Sequence, residues 1–243
     1  MTVHSIPGFA DPFSSIIHLL GAVVFFVLTF FLVARGRGSA GRMISLAIFA
    51  FSAVFLLSMS GVYHLLTVGG AGRSVLQRLD HAGIFFLIAG SFTPVHAILF
   101  TGWLRWGFLS LIWTLAISGI TLKVIFFDSI PEWLGLSFYL GLGWFGLLSG
   151  ILLSRRFGFS FIKPLLYSGL SYSLGGIGEF LRFPVPIPGV IGPHELFHIA
   201  VIAGIGFHWY FVYRCLDMAS KPQGLASLKN QSKRPIPLIK RCK

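Results

Sequence analysis

Seven long apolar runs, at roughly 14–34, 43–66, 78–100, 104–126, 133–153, 162–181 and 193–213, alternate with short links, and most of the charge lies in those links and after the last run. A helix needs about 20 apolar residues to cross the hydrocarbon core, because in lipid each backbone amide has to find its partner within the segment. Each run has about that length, so the pattern predicts an all-α membrane protein, a seven-transmembrane helix bundle. The polar residues inside the runs cluster at their ends. The first run opens on Ser14, Ser15 and His18 before the apolar stretch from Val23 to Val33, and the second closes on Ser60 and His64. After Gly69-Gly70-Ala71-Gly72, the third run opens on Arg78, Asp80 and His81, and Pro94 should bend it near its end. The sixth ends in Gly175-Gly176-Ile177-Gly178-Glu179, and a Pro-rich link then delivers the chain to Pro193 and His194. If the runs alternate in direction, His18, Ser60, His64, Asp80, His81, Glu179, His194 and His198 all fall at one membrane face. His96 and His208 fall at the other. Ionisable groups are costly in a bilayer and face the bundle interior, so the one-sided gathering points to a site.

Composition agrees with the pattern. The chain is 55% hydrophobic and 11% charged, with mean hydropathy +0.84, against roughly 25% charged residues in a soluble domain. Little is left for a separate soluble domain, so residues 1–213 are read as one membrane domain carrying the site. Residues 214–243, basic and interrupted by proline, are read as a disordered tail. No Lys or Arg precedes the first run, so it is expected to stay in the mature protein and not to act as a cleavable signal. Both cysteines, Cys215 and Cys242, follow the last run, which suggests neither a disulfide framework nor a cysteine metal site.

The charge distribution also predicts sidedness. Fifteen of the 19 Lys and Arg lie at or near the face opposite the site: Arg35, Arg37, Arg42, Arg105, Arg155, Arg156, Lys163 and those from Arg214 to Lys243. Only Arg73, Arg78, Lys123 and Arg182 lie near the site face. Positive charge in short loops stays inside, so a multi-pass protein of the cell membrane with a cytoplasmic C-terminus is expected. Nothing in the chain points to a nucleic-acid partner.

The candidate chemistry centres on Pro193-His194-Glu195-Leu196-Phe197-His198. Residues four apart on a helix lie on one face about 6 Å from each other, so His194 and His198 can both give nitrogen to one Zn²⁺. Pro193 suits the first helical position. Ser60-x-x-x-His64 supplies a further imidazole on the same face. Three neutral imidazoles leave zinc one open position, where a water can have its pKa lowered to about 7. Asp80 could orient that water or take its proton, and Ser60 could hydrogen-bond it or a developing oxyanion. His208 lies 14 residues beyond His194, about 21 Å along a helix, too far for the same metal. Taken singly, His64 reads as a helix-end histidine bonded to a carbonyl and Asp80 as a helix-opening residue favoured by the dipole. His18, His81 and Glu179 stay open between outer partners of the site and packing groups, and Glu179 has Arg182 three residues on for a simple ion pair.

The Ser60-x-x-x-His64 pair, Asp80-His81-Ala82-Gly83-Ile84, Thr93-Pro94, Tyr172 to Gly175 and His194-x-x-x-His198 together resemble the hemolysin III family. That family belongs to the superfamily of progestin and adipoQ receptors and alkaline ceramidases. The resemblance implies zinc held by His64, His194 and His198, with Asp80 holding a zinc-bound water. It departs in the first run, where Ser14 stands in place of the usual Asn and Ile17 in place of the usual Thr. By likeness to the ceramidase branch it implies a zinc-dependent hydrolase of lipid amide or ester bonds, with a membrane lipid as substrate or ligand.

Other classes compete. One is a receptor-like membrane sensor in which zinc is structural. A second is an intramembrane metalloprotease, since His194-Glu195-x-x-His198 spells the zincin motif with the glutamate as general base. A lytic pore would need a repeated polar face that no run shows. Ser58-Met59-Ser60-Gly61 only faintly suggests an intramembrane serine protease, and Gly175-Gly176-x-Gly178 is too weak to argue a nucleotide site.

Overall fold

In the computed structural model, residues 9–220 are described, and they form seven α-helices. These are α1 (Pro12–Ala34), α2 (Ala40–Leu65), α3 (Ala71–Leu99), α4 (Trp103–Ile125), α5 (Glu132–Phe157), α6 (Phe159–Phe180) and α7 (Pro193–Ser220). The protein is thus all-helical and multi-pass. Six of the helices are long and apolar enough to cross a membrane, all but α6. That helix has the length, but it carries four Gly and four Ser besides Lys163 and Glu179. Its small residues serve packing. A Cβ on Gly175 would come within 2.6 Å of the Ala200 Cβ of α7, so the two helices approach more closely than any side chain there would permit.

The helix starts follow local chemistry. Ser39 accepts a hydrogen bond from the Arg42 amide and caps α2, and Pro12 and Pro193 occupy opening positions of α1 and α7. The third helix begins at Ala71, seven residues before the expected start at 78. The flexible Gly69-Gly70 pair ends the link, and the residues after it continue straight into helix. Asp80 therefore lies in the third turn and not at the helix opening, where a dipole role would apply. Pro94 is inside α3, as expected. The last helix runs to Ser220, past the expected boundary at 213, and residues 221–243 of the expected basic tail lie outside the described residues.

The third helix is the hub: 72% of its most apolar stretch is buried within the bundle, against 22% for α1. One core, around Phe49, Leu57, Ile205 and Phe211, joins α1, α2, α3, α5, α6 and α7. A second, around Phe85, Phe92, Phe108, Ile112 and Leu142, joins α3 to α4 and α5. Large side chains such as Leu20, Val23, Phe30, Phe31 and Leu174 point outward. That belt would be an aggregation surface in water and is the expected surface in lipid.

At the face opposite the predicted site, the two distant histidines serve structure. His96 is stacked between Phe100 and Phe108, with ring centroids 4.4 and 4.3 Å away, while Nδ1 reaches the Leu104 carbonyl and Nε2 the Ser149 hydroxyl. The His208 Nε2 donates to the Ser91 carbonyl at 3.1 Å.

Candidate metal centre

Two helix ends meet at the site. The close of α2 brings His64, and the first turns of α7 bring His194 and His198. Close approach of α1 to α2 makes room for this. A Cβ on Gly61 would lie 2.7 Å from the Leu19 side chain, and the Gly61 carbonyl instead accepts a hydrogen bond from Ser15 at 2.8 Å.

The His64 Nε2 lies 3.3 Å from the His194 Nε2, which lies 2.9 Å from the His198 Nε2. Zinc–nitrogen bonds of about 2.0–2.1 Å at tetrahedral angles put ligand nitrogens roughly 3.3 Å apart, so the three imidazoles fit one ion. They form a cluster that could hold a metal, with ligand atoms all within 4.8 Å of one another.

The opposite ring nitrogens decide how those lone pairs are aimed. His64 Nδ1 is 2.9 Å from Asp11 Oδ2, and His194 Nδ1 is 3.2 Å from Glu179 Oε1. A carboxylate there takes the N–H, fixes the tautomer and turns Nε2 toward the centre of the cluster. His198 Nδ1 sits 3.1 Å from His18 Nδ1, and His18 Nε2 can donate to the His198 carbonyl at 3.3 Å. His18 is therefore an outer partner that packs against His198, with ring centroids 4.0 Å apart. His81 instead bonds its own helix at the Gln77 carbonyl and packs on Phe127.

Asp11 is the residue that sequence reasoning missed. Its carboxylate also accepts from Arg73 at 2.8 Å, and Arg73 in turn bonds the Leu66 carbonyl and lies over the Tyr63 ring. The bond to His64 and then the Arg73 guanidinium hold the Asp11 carboxyl down at about 2, outweighing partial burial. Because the folded value is depressed, the stabilisation is complete above the ordinary carboxylate range and is lost as pH falls toward 2. Asp11→Ala is expected to weaken metal binding about 10–100-fold without removing it. A competition titration against a chelator at neutral pH checks this; unchanged affinity would detach Asp11 from the site.

Asp80 and Ser60 lie beside the cluster. The Ser60 hydroxyl faces the Asp80 carboxylate, which is close enough to His194 to interact electrostatically. Ser60 is buried, one turn before His64 on α2. Glu195, the zincin glutamate, is engaged elsewhere. Its Oε2 accepts from the Gly192 amide at 2.8 Å, closing the start of α7 from the third helical position, and its Oε1 lies 3.5 Å from Ser14.

The profile of the family described as "Haemolysin-III related" matches residues 9–209. The chain belongs to this family. Among its relatives is Hemolysin-3 of Bacillus cereus, 29% identical over 201 residues that cover 82% of this chain and 88% of that protein. The Hemolysin-3 homolog of Bacillus subtilis is 28% identical over 195 residues, covering 79% and 87%. An adiponectin receptor protein of Drosophila melanogaster is 27% identical over 220 residues, which cover 79% of this chain and 48% of the receptor. These matches support the hemolysin III and adipoQ-receptor-like resemblance carried by the histidine, aspartate and serine pattern.

Proposed function

We propose that this family member is a zinc-dependent hydrolase of lipid amide or ester bonds, working within the cell membrane. The observation that carries the reading is the convergence of three Nε2 atoms, each with its Nδ1 held from behind, beside a carboxylate and a hydroxyl that do not belong to the ligand set. His64, His194 and His198 would hold the zinc. When bound, the metal supplies Lewis acidity and lowers the pKa of a water to about 7. Asp80 holds the attacking water in line and takes its proton, passing it to the leaving group. Ser60 donates a hydrogen bond to the oxygen on which charge develops at the scissile carbonyl. The Tyr139 hydroxyl, buried without a hydrogen-bond partner among the described residues and within electrostatic range of Asp80, adds a polar group that substrate or water can satisfy.

Incubation of the metal-loaded protein with a lipid extract, read by mass spectrometry for released fatty acid, tests the activity. Release by the wild-type chain but not by His194→Ala supports it, and absence of any release from extracts of several lipid classes would overturn it. The capping role of Glu195 weighs against the metalloprotease reading, because a base engaged at the helix start is not aimed at substrate. The likeness to an adiponectin receptor protein favours the receptor-like class with structural zinc as the second reading.

The same reading takes α6 as the seventh span. Its 22 residues extend about 33 Å, enough for the hydrocarbon core of about 30 Å, and place Lys163 and Glu179 near opposite faces. With seven spans and the basic residues concentrated opposite the site, the C-terminus is cytoplasmic and the zinc faces outward. A C-terminal reporter that is active only outside the cytoplasm should stay silent, and a strong signal would reverse this orientation.

A further inference from the structure

The charge of the bundle is divided between its two ends. Of seven carboxylates in the chain, only Asp217 lies at the end opposite the histidines, and it is already paired with Arg35. Among the described residues that end nevertheless carries most of the Lys and Arg, and two of them, Arg155 in the last turn of α5 and Lys163 near the start of α6, flank the turn between these helices. The sixth helix begins at Phe159 with no acidic residue in its first turn, and Lys163 follows as its fifth residue. Lys163 and the exposed Arg155 thus bracket the opening of α6, with no acidic residue in its first turn.

A groove of about 300 Å³ opens at this point between α5 and α6. Leu147, Gly150, Ile151, Ser154 and Arg155 line one wall at helical spacing, and Phe159, Ile162 and Leu166 line the other. From Leu147 to Arg155 the wall runs about 12 Å along α5. One end is apolar and directed toward mid-membrane. The other holds Ser154, Arg155 and the opening of α6. Gly150 leaves space between the walls, since a Cβ there would meet only the Leu165 side chain at 3.7 Å.

We propose that this groove binds an anionic phospholipid, with an acyl chain between Leu147, Ile151, Ile162 and Leu166 and the headgroup phosphate at Arg155, Lys163 and the first amides of α6. Basic pockets between spans are suited to such headgroups, and each cation near the surface contributes about 1 kcal/mol. The apolar length selects a lipid over a free anion. This site is separate from the histidine cluster and stands independently of any hydrolysis there.

The test is thermal stability and native mass spectrometry of the full-length protein in detergent, titrated with phosphatidylglycerol, phosphatidylcholine or inorganic phosphate. Phosphatidylglycerol should raise the melting temperature and remain bound in the gas phase, whereas phosphatidylcholine and phosphate should do neither. Removing both charges in Arg155→Ala/Lys163→Ala should weaken binding roughly 30-fold. Gly150→Leu, which fills the groove and leaves every charge in place, should also abolish retention. Arg37→Ala, exposed on the same face but outside the groove, should bind as the wild type does. Equal retention of phosphatidylcholine, equal stabilisation by phosphate, or equal losses with Arg37→Ala and the double variant would each overturn the proposal.

Discussion

Purified protein is expected to carry about one zinc ion per chain, and His64→Ala, His194→Ala and His198→Ala should each remove it. The expectation rests on geometry: three Nε2 atoms at 2.9 and 3.3 Å separations leave the ion three protein ligands with none to spare. Deleting one leaves two imidazoles and two open positions, which cannot hold the ion against a chelator. His96→Ala and His208→Ala should leave zinc content unchanged, because both rings are bound to carbonyls at the far face. Elemental analysis of the six proteins decides this, and full occupancy in all three ligand variants would end the assignment.

Asp80→Asn is expected to keep the zinc and lose about 10²–10⁴-fold of lipid hydrolysis, the usual contribution of a general acid–base group. Asparagine preserves the shape and one acceptor but cannot take a proton. Ser60→Ala should also keep the metal and lose about 10²–10³-fold, the size of one oxyanion donor. Glu195→Gln separates this account from the metalloprotease. Its carboxylate closes the start of α7 through the Gly192 amide, a bond a glutamine oxygen can still accept, so the change should be milder than Asp80→Asn. Loss of zinc in Asp80→Asn together with loss of activity in Glu195→Gln would favour the zincin arrangement. If nothing is hydrolysed and both variants only lower thermal stability, zinc is structural and the receptor-like class leads.

The site was legible in the sequence to the extent that its geometry is local or follows from alternation. His194 and His198 announce themselves by their spacing of four, and His64 joins them once the second run is seen to end where the seventh begins. Asp11 lies at the same face by the same rule, yet its partners His64 and Arg73 are 53 and 62 residues away, and no local pattern marks a contact of that kind. Glu179 was visible as an ion pair with Arg182, and that pair exists. Its oxygen is shared with His194, which only the packing of α6 on α7 brings about. The early start of α3 was hidden by the Gly-rich link, whose glycines weigh against helix although the residues after Gly70 enter it at once. In α6, small residues that let two helices touch lower the hydropathy by which a span is recognised.

The central claim is that three imidazole nitrogens, and no other side chain of this chain, bind one zinc ion. X-ray absorption at the zinc edge of the purified protein tests it most directly. The predicted spectrum shows about three imidazole nitrogens at about 2.0–2.1 Å with one further light ligand and no sulfur. A shell at about 2.3 Å from thiolate, or a fourth imidazole that closes the open position, would contradict it.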